Sequence, residues 1–89
     1  MSSWSLYIIR CRDGELYTGV TTDVNRRFVE HQGGGPRAAK YLKGKAPLQL
    51  VYQELVGSRS EALKREIQVK KLSRQQKLAL LNASRATAG

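Results

Sequence analysis

Five side chains in this 89-residue chain have types and spacing suited to phosphodiester chemistry: Tyr7, Tyr17, Arg27, His31 and Glu66. A phenol beside a cation can hold or lose a proton, a guanidinium neutralises phosphate oxygens, and an inward carboxylate can hold a divalent metal. Singly, each has a plain structural explanation. A strand tyrosine usually packs in the core or at its rim, an arginine forms an ion pair, and a lone histidine is a satisfied surface group. Together, in a small basic protein, they call for elements that could bring them to one place.

The first such element is a hairpin. Trp4 to Cys11 is short and rich in aromatic and β-branched residues, as a strand should be, and Leu16 to Val20 is its partner across Asp13-Gly14. A two-residue turn would oppose Tyr7 to Val20 and put the tyrosines on opposite faces. A three-residue Arg12-Asp13-Gly14 loop with a left-handed Gly14 opposes Ile9 to Tyr17 and Tyr7 to Gly19, so both tyrosines share a face. The hairpin residues alone leave both open; a site that uses both tyrosines requires the second.

Thr21, Thr22 or Asp23 can cap a following helix that Gly33-Gly34-Gly35 and Pro36 end. Val24, Phe28 and His31 recur at helical spacing with Arg27 beside them, while Arg26 and Glu30 are expected to point away. A basic connector with one short helix over Arg37 to Leu42 leads to a third strand, Leu48 to Leu55. Ser58 with Glu61, and Ser73 with Gln76, form capping boxes that open two more helices. At ~100° per residue, Ala62, Leu63, Ile67 and Val69 make the apolar sector of the first of these, and Glu66 lies inside it. Glu66 either pairs with Lys70 one turn on or turns inward as a metal ligand. The expected fold is α+β: a three-stranded, largely antiparallel sheet in the order β-β-α-(α)-β-α-α, flanked by helices. One domain covers residues 1–82, with 83–89 as a frayed tail.

Sixteen Lys and Arg against seven Asp and Glu leave a net charge of +9, which points to a polyanionic partner, nucleic acid first. No acidic residue lies between Glu30 and Glu54 or after Glu66. Arg37, Lys40, Lys43, Lys45, Lys70 and Lys71 in those tracts are the expected phosphate-facing residues. So few carboxylates argue against a site built on two metals. One histidine and one cysteine, Cys11, give little support for zinc, a disulfide or a Cys-His nucleophile. No stretch reaches the ~20 apolar residues of a membrane span, and a cytoplasmic location with no membrane partner is the expectation.

The sequence of strand-Tyr7, strand-Tyr17-Thr18-Gly19, helix-Arg27 and helix-Glu66 resembles the GIY-YIG nuclease superfamily, in particular its small stand-alone bacterial members. Ser5-Leu6-Tyr7 stands in place of the first triplet and Tyr17-Thr18-Gly19 in place of the second. The resemblance covers residues 4 to 82. It implies a hydrolase, a metal-dependent endonuclease acting on DNA, with single-stranded or branched DNA as the expected substrate and one Mg2+ (or Mn2+) as cofactor. By position, Glu66 would bind the metal, Tyr17 would deprotonate or orient the water, and Arg27 would stabilise the scissile phosphate. Tyr7 and His31 would line the site and assist proton traffic. The family's downstream asparagine has one candidate, Asn82. The alternative is a nucleic-acid-binding module that keeps the fold without catalysis.

Overall fold

The computed structural model describes residues 3–88, with side chains through Ala83. Its elements are β1 (Trp4–Arg10), β2 (Leu16–Thr21), α1 (Val24–Gly33), a 3-10 turn at Lys40–Leu42, β3 (Gln49–Gly57), α2 (Arg59–Lys70) and α3 (Arg74–Ala88). The element order is the expected one, and the sheet is wholly antiparallel in the spatial order β2-β1-β3. The backbone of α3 continues as helix over the segment expected as a tail, and side chains beyond Ala83 lie outside the described residues.

Strand β1 is central and covered on both faces, which is why Leu6, Tyr7, Ile8 and Ile9 form an unbroken apolar run with no polar alternation. Tyr7, Ile9 and Cys11 face α1 and the connector, packing with Val24, Leu42 and Leu48. Leu6 and Ile8 face α2 and α3, packing with Val69, Leu72, Leu80 and Leu81. The sheet therefore partitions the molecule into two cores.

The hairpin takes the three-residue loop. Ile9 opposes Tyr17 and Tyr7 opposes Gly19, Gly14 has φ +89°, and the Cys11 N–H donates to the Glu15 carbonyl at 2.8 Å. Asp23 is the cap of α1, accepting the Arg26 N–H at 3.1 Å, and Gly34 ends the helix at φ +67°. Both capping boxes form: Ser58 and Glu61 exchange hydrogen bonds at the start of α2, and Ser73 and Gln76 do so ahead of α3.

Two expectations are corrected. The buried line of α2 is Ala62, Arg65, Glu66 and Val69, while Leu63 and Ile67 face outward. A small residue, Ala62, lets the helix approach the sheet closely, and Arg65 binds Glu54 through Nε at 3.1 Å, anchoring α2 to β3. The even alternation expected in β3 is broken by a bulge: Ile8 pairs with Tyr52 but Ile9 with Leu50, leaving Val51 as an extra residue. Leu50 consequently joins the α1 core while Tyr52 joins the other.

Thr18 opposes Ile8 and is buried, and its hydroxyl has no hydrogen-bond partner among the described residues. An unsatisfied buried hydroxyl costs about 1–3 kcal/mol. Thr18→Val removes it at nearly constant shape and is expected to stabilise the fold by about 1 kcal/mol, read as a rise in Tm of about 4–8 °C.

Candidate functional site

The site is built around Tyr7, which is buried and held from three sides. From below, Gly19 on β2 provides the room: a Cβ there would fall on the phenol, 2.6 Å from its ζ carbon. The glycine of the second triplet is thus required by close approach and not by backbone conformation. From α1, His31 Nε2 stands 2.8 Å from the phenol oxygen. Arg27, one turn earlier on the same helix, places its positive charge near the same oxygen.

His31 is 1 % exposed, and both of its nitrogens are engaged. Nδ1 accepts the backbone N–H of Ala39 at 3.1 Å. A backbone amide can only donate, so the ring proton sits on Nε2, which donates to Tyr7. The phenol oxygen acts as acceptor, and its own proton is left for another partner. Burial, reinforced by the Arg27 charge, pushes His31 down to about 4. Burial and the neighbouring Tyr17 push Tyr7 up to about 12, against the pull of Arg27. At neutral pH both groups are uncharged. His31 thus bridges Tyr7 and the Ala39 amide by two hydrogen bonds.

Tyr17 completes an aromatic cluster, its ring centroid 6.4 Å from Tyr7 and 5.6 Å from His31 in edge-on contact. Tyr41 of the 3-10 turn lies nearly parallel to Tyr17 at 5.8 Å, and Lys45 Nζ stands 3.7 Å over the Tyr41 ring. Lys45 also pairs with Asp13 at 3.8 Å, which ties the connector to the hairpin loop. Lys45, expected to face phosphate, is therefore committed to a structural contact. Lys40, Lys43 and Lys71 are exposed.

Glu30 was expected to point away from the site, yet it gathers three arginines. Its carboxylate meets Arg27 at 3.2 Å, Arg37 at 3.4 Å and Arg26 at 3.7 Å, and the Arg27 hydrogen bond holds its carboxyl below the usual range. Arg27 also donates to the Arg37 carbonyl. These groups line a cleft of about 340 Å³ together with Thr21, Thr22 and Asp23. A helical i, i+3 and i+4 spacing of Glu30 to Arg27 and Arg26 was the signal that could have found this cluster.

Glu66 stands on α2, the helix whose Val69 packs against Leu6 and Ile8. Its side chain is 19 % exposed and pairs with Lys70 at 3.3 Å. Among the described residues no hydrogen bond or ion pair joins it to the other four. Its charge does reach Tyr7, as the weakest of the five influences on that phenol. The structure thus brings Tyr7, Tyr17, Arg27 and His31 together and links Glu66 to them through its charge on Tyr7, with Asn82 exposed on α3. Cys11 is buried, and burial pushes its thiol up, which suits an inert core residue.

Two variants test this geometry. Gly19→Ala should destabilise the protein by about 2 kcal/mol or more through the clash with Tyr7, and most of that cost should vanish in a Tyr7→Ala background when both are unfolded in urea. His31 is the chain's sole histidine. Unfolded, it takes a proton below about pH 6.5, which the native state refuses until about 4. Stability should be full above pH 6.5 and fall by up to about 1.4 kcal/mol per pH unit as pH drops through that window. His31→Gln should flatten the slope between about pH 4.5 and 6.5, above the range where carboxylates titrate.

Comparison with known proteins places the chain in a family. Residues 3–79 match the family model of the GIY-YIG catalytic domain. A UPF0213 protein of Cronobacter sakazakii is 53 % identical over 91 % of this chain and 83 % of its own length. UPF0213 protein YhbQ of Escherichia coli is 51 % identical over 91 % of this chain and 79 % of its own. The solution NMR structure of UPF0213 protein BH0048 from Bacillus halodurans superposes with a TM-score of 0.58 at 42 % identity, covering 93 % of this chain and 85 % of that one. Protein EF2693 from E. faecalis, also solved by NMR, gives 0.64 at 35 % identity, covering 97 % and 88 %. No described helix is long and apolar enough to cross a membrane. With its two tyrosines on one face of the hairpin and Arg27 on the helix that follows, the chain belongs to the GIY-YIG family, among small bacterial proteins of the UPF0213 group.

Proposed function

We propose that this protein is a metal-dependent endonuclease that hydrolyses phosphodiester bonds in DNA, with single-stranded or branched DNA as substrate. The observation that carries the reading is the convergence of Tyr7, Tyr17 and Arg27 around one buried imidazole, on a chain of net charge +9. That gathering depends on the close approach of Tyr7 to Gly19, which leaves no room for a Cβ there.

In the proposed reaction water attacks phosphorus in line and the bond to the leaving sugar oxygen breaks. Arg27 neutralises the non-bridging oxygens, on which charge builds in the transition state. Tyr17, at the open side of the cluster, orients the water or takes its proton. Tyr7 stays a neutral phenol whose proton is free for a phosphate or sugar oxygen, because His31 supplies the other hydrogen bond. Glu30 keeps Arg27 extended toward the cleft while leaving net positive charge from the three arginines.

Among the described residues no three of His, Cys, Asp and Glu gather as a metal cage. One half-buried carboxylate fits magnesium, which keeps several waters and takes substrate phosphate oxygens, and it does not fit zinc. Glu66 would hold the ion, with Mn2+ able to substitute, and the bound cation would supply charge neutralisation and a more acidic water. A second reading, a nucleic-acid-binding module without turnover, draws on Glu66 being engaged by Lys70.

Labelled single-stranded, branched and duplex DNA incubated with the protein and Mg2+ separates the two. Cleavage should be abolished by chelation and reduced at least about 100-fold in Glu66→Gln, Arg27→Ala and Tyr17→Phe. Cleavage that survives Glu66→Gln and Arg27→Ala would contradict the reading, and tight binding without turnover in any divalent metal would favour the second.

A further inference from the structure

Beside Tyr17 lies a second cleft, of about 310 Å³, lined by Leu16, Tyr17, Thr18, Tyr41, Lys70 and Lys77 and not by Arg27. We infer that this cleft is a nucleotide-binding subsite, in which Tyr41 takes the base and Lys70 and Lys77 take the phosphate of the nucleotide next to the bond that is cut. The inference rests on the nuclease reading only for the identity of its neighbour, Tyr17.

The chemistry of the walls carries it. The cleft has two aromatic rings, two ammonium groups and no acidic residue in its lining, a combination that suits a planar base joined to an anion. Tyr17 and Tyr41 are nearly parallel with centroids 5.8 Å apart, an offset that makes a stepped aromatic wall and not a closed sandwich. The volume, at the low end for small-ligand sites, suits one nucleotide.

The walls are also held in advance of binding. Tyr41 is 46 % exposed, yet Lys45 covers it at 3.7 Å. The connector behind it is stitched to the hairpin by the Arg12 N–H on the Lys45 carbonyl at 3.0 Å and by the Arg12 guanidinium on the Gly44 carbonyl at 3.3 Å. On the opposite wall, Arg74 donates to the Gly14 carbonyl at 3.0 Å. That bond pins the start of α3 to the hairpin loop and brings Lys77, one turn later, beside Leu16 and Tyr17. Lys70 shares its charge with Glu66 at 3.3 Å, so Lys77 is the less committed of the two cations. An exposed ring fixed by its neighbours loses little freedom when a base stacks on it.

The test is equilibrium binding of the full chain to a fluorescein-labelled oligothymidylate of about ten nucleotides, by anisotropy at low salt with EDTA present to prevent turnover. Tyr41→Ala and Lys77→Ala should each weaken binding at least about fivefold, with Tyr41→Trp equal to the parent or tighter and Lys64→Ala, on the outer face of α2, near the parent. Scanning a single abasic residue along the strand should give a similar loss at one or two positions, and Tyr41→Ala should lose no more when the base there is missing. Binding that ignores Tyr41→Ala and Tyr41→Trp, or an abasic loss that persists in Tyr41→Ala, would overturn the subsite. Mg2+-dependent cleavage sensitive to Arg27→Ala would in that case leave the nuclease reading standing. Absence of any binding by the parent would count against both.

Discussion

A single imidazole couples the parts of the candidate site. His31 accepts an amide proton from the connector at Ala39 and donates its own to Tyr7 on the central strand, while its helix carries Arg27. Protonating the ring would set a second N–H against the Ala39 N–H and place a charge in a nearly dry site. The neutral tautomer is therefore a structural necessity, and it dictates what Tyr7 can do. The phenol is an acceptor toward the core, so any proton it donates goes outward. The connector that supplies the Ala39 amide also supplies Tyr41 and Lys45, so the same imidazole helps order the ring beside Tyr17.

The second constraint is the sheet itself. Because β1 is buried on both faces, side chains at alternate positions belong to different cores, and the tyrosine face is the α1 face. The cations around the cluster are consequently of two kinds. Arginines on the Glu30 side are tied into one carboxylate. Lysines on the Tyr17 side come from α2 and α3, helices that pack on the opposite face and reach round the β2 edge. A polyanion lying across Tyr17 would meet both.

Much of this was legible in the chain. The hairpin register followed from asking for two tyrosines on one face, since the three-residue loop alone provides it and Gly14 can take the left-handed conformation. Both capping boxes and the Asp23 cap were readable because their side chains act within three residues of where they stand. What stayed hidden depended on packing. Leu63 and Ile67 are more hydrophobic than Ala62, yet the helix rests on Ala62, because close approach to a sheet favours the smaller side chain. The Val51 bulge leaves no local signature and reverses which residues of β3 face which core. Glu30 was misjudged because helical phase alone does not show that Arg37 folds back to meet it. Tyr41, lying between Lys40 and Lys43, carried the interleaving of aromatic and basic residues typical of strand-binding surfaces.

The protonation state of His31 is the most direct measurement of this account. Long-range 1H–15N correlation spectra of the uniformly labelled protein distinguish the two neutral tautomers and the imidazolium. The account predicts one neutral tautomer with the proton on Nε2, unchanged from neutral pH down to about pH 5. A proton on Nδ1, or an imidazole titrating near its ordinary pKa of about 6.5, would contradict it.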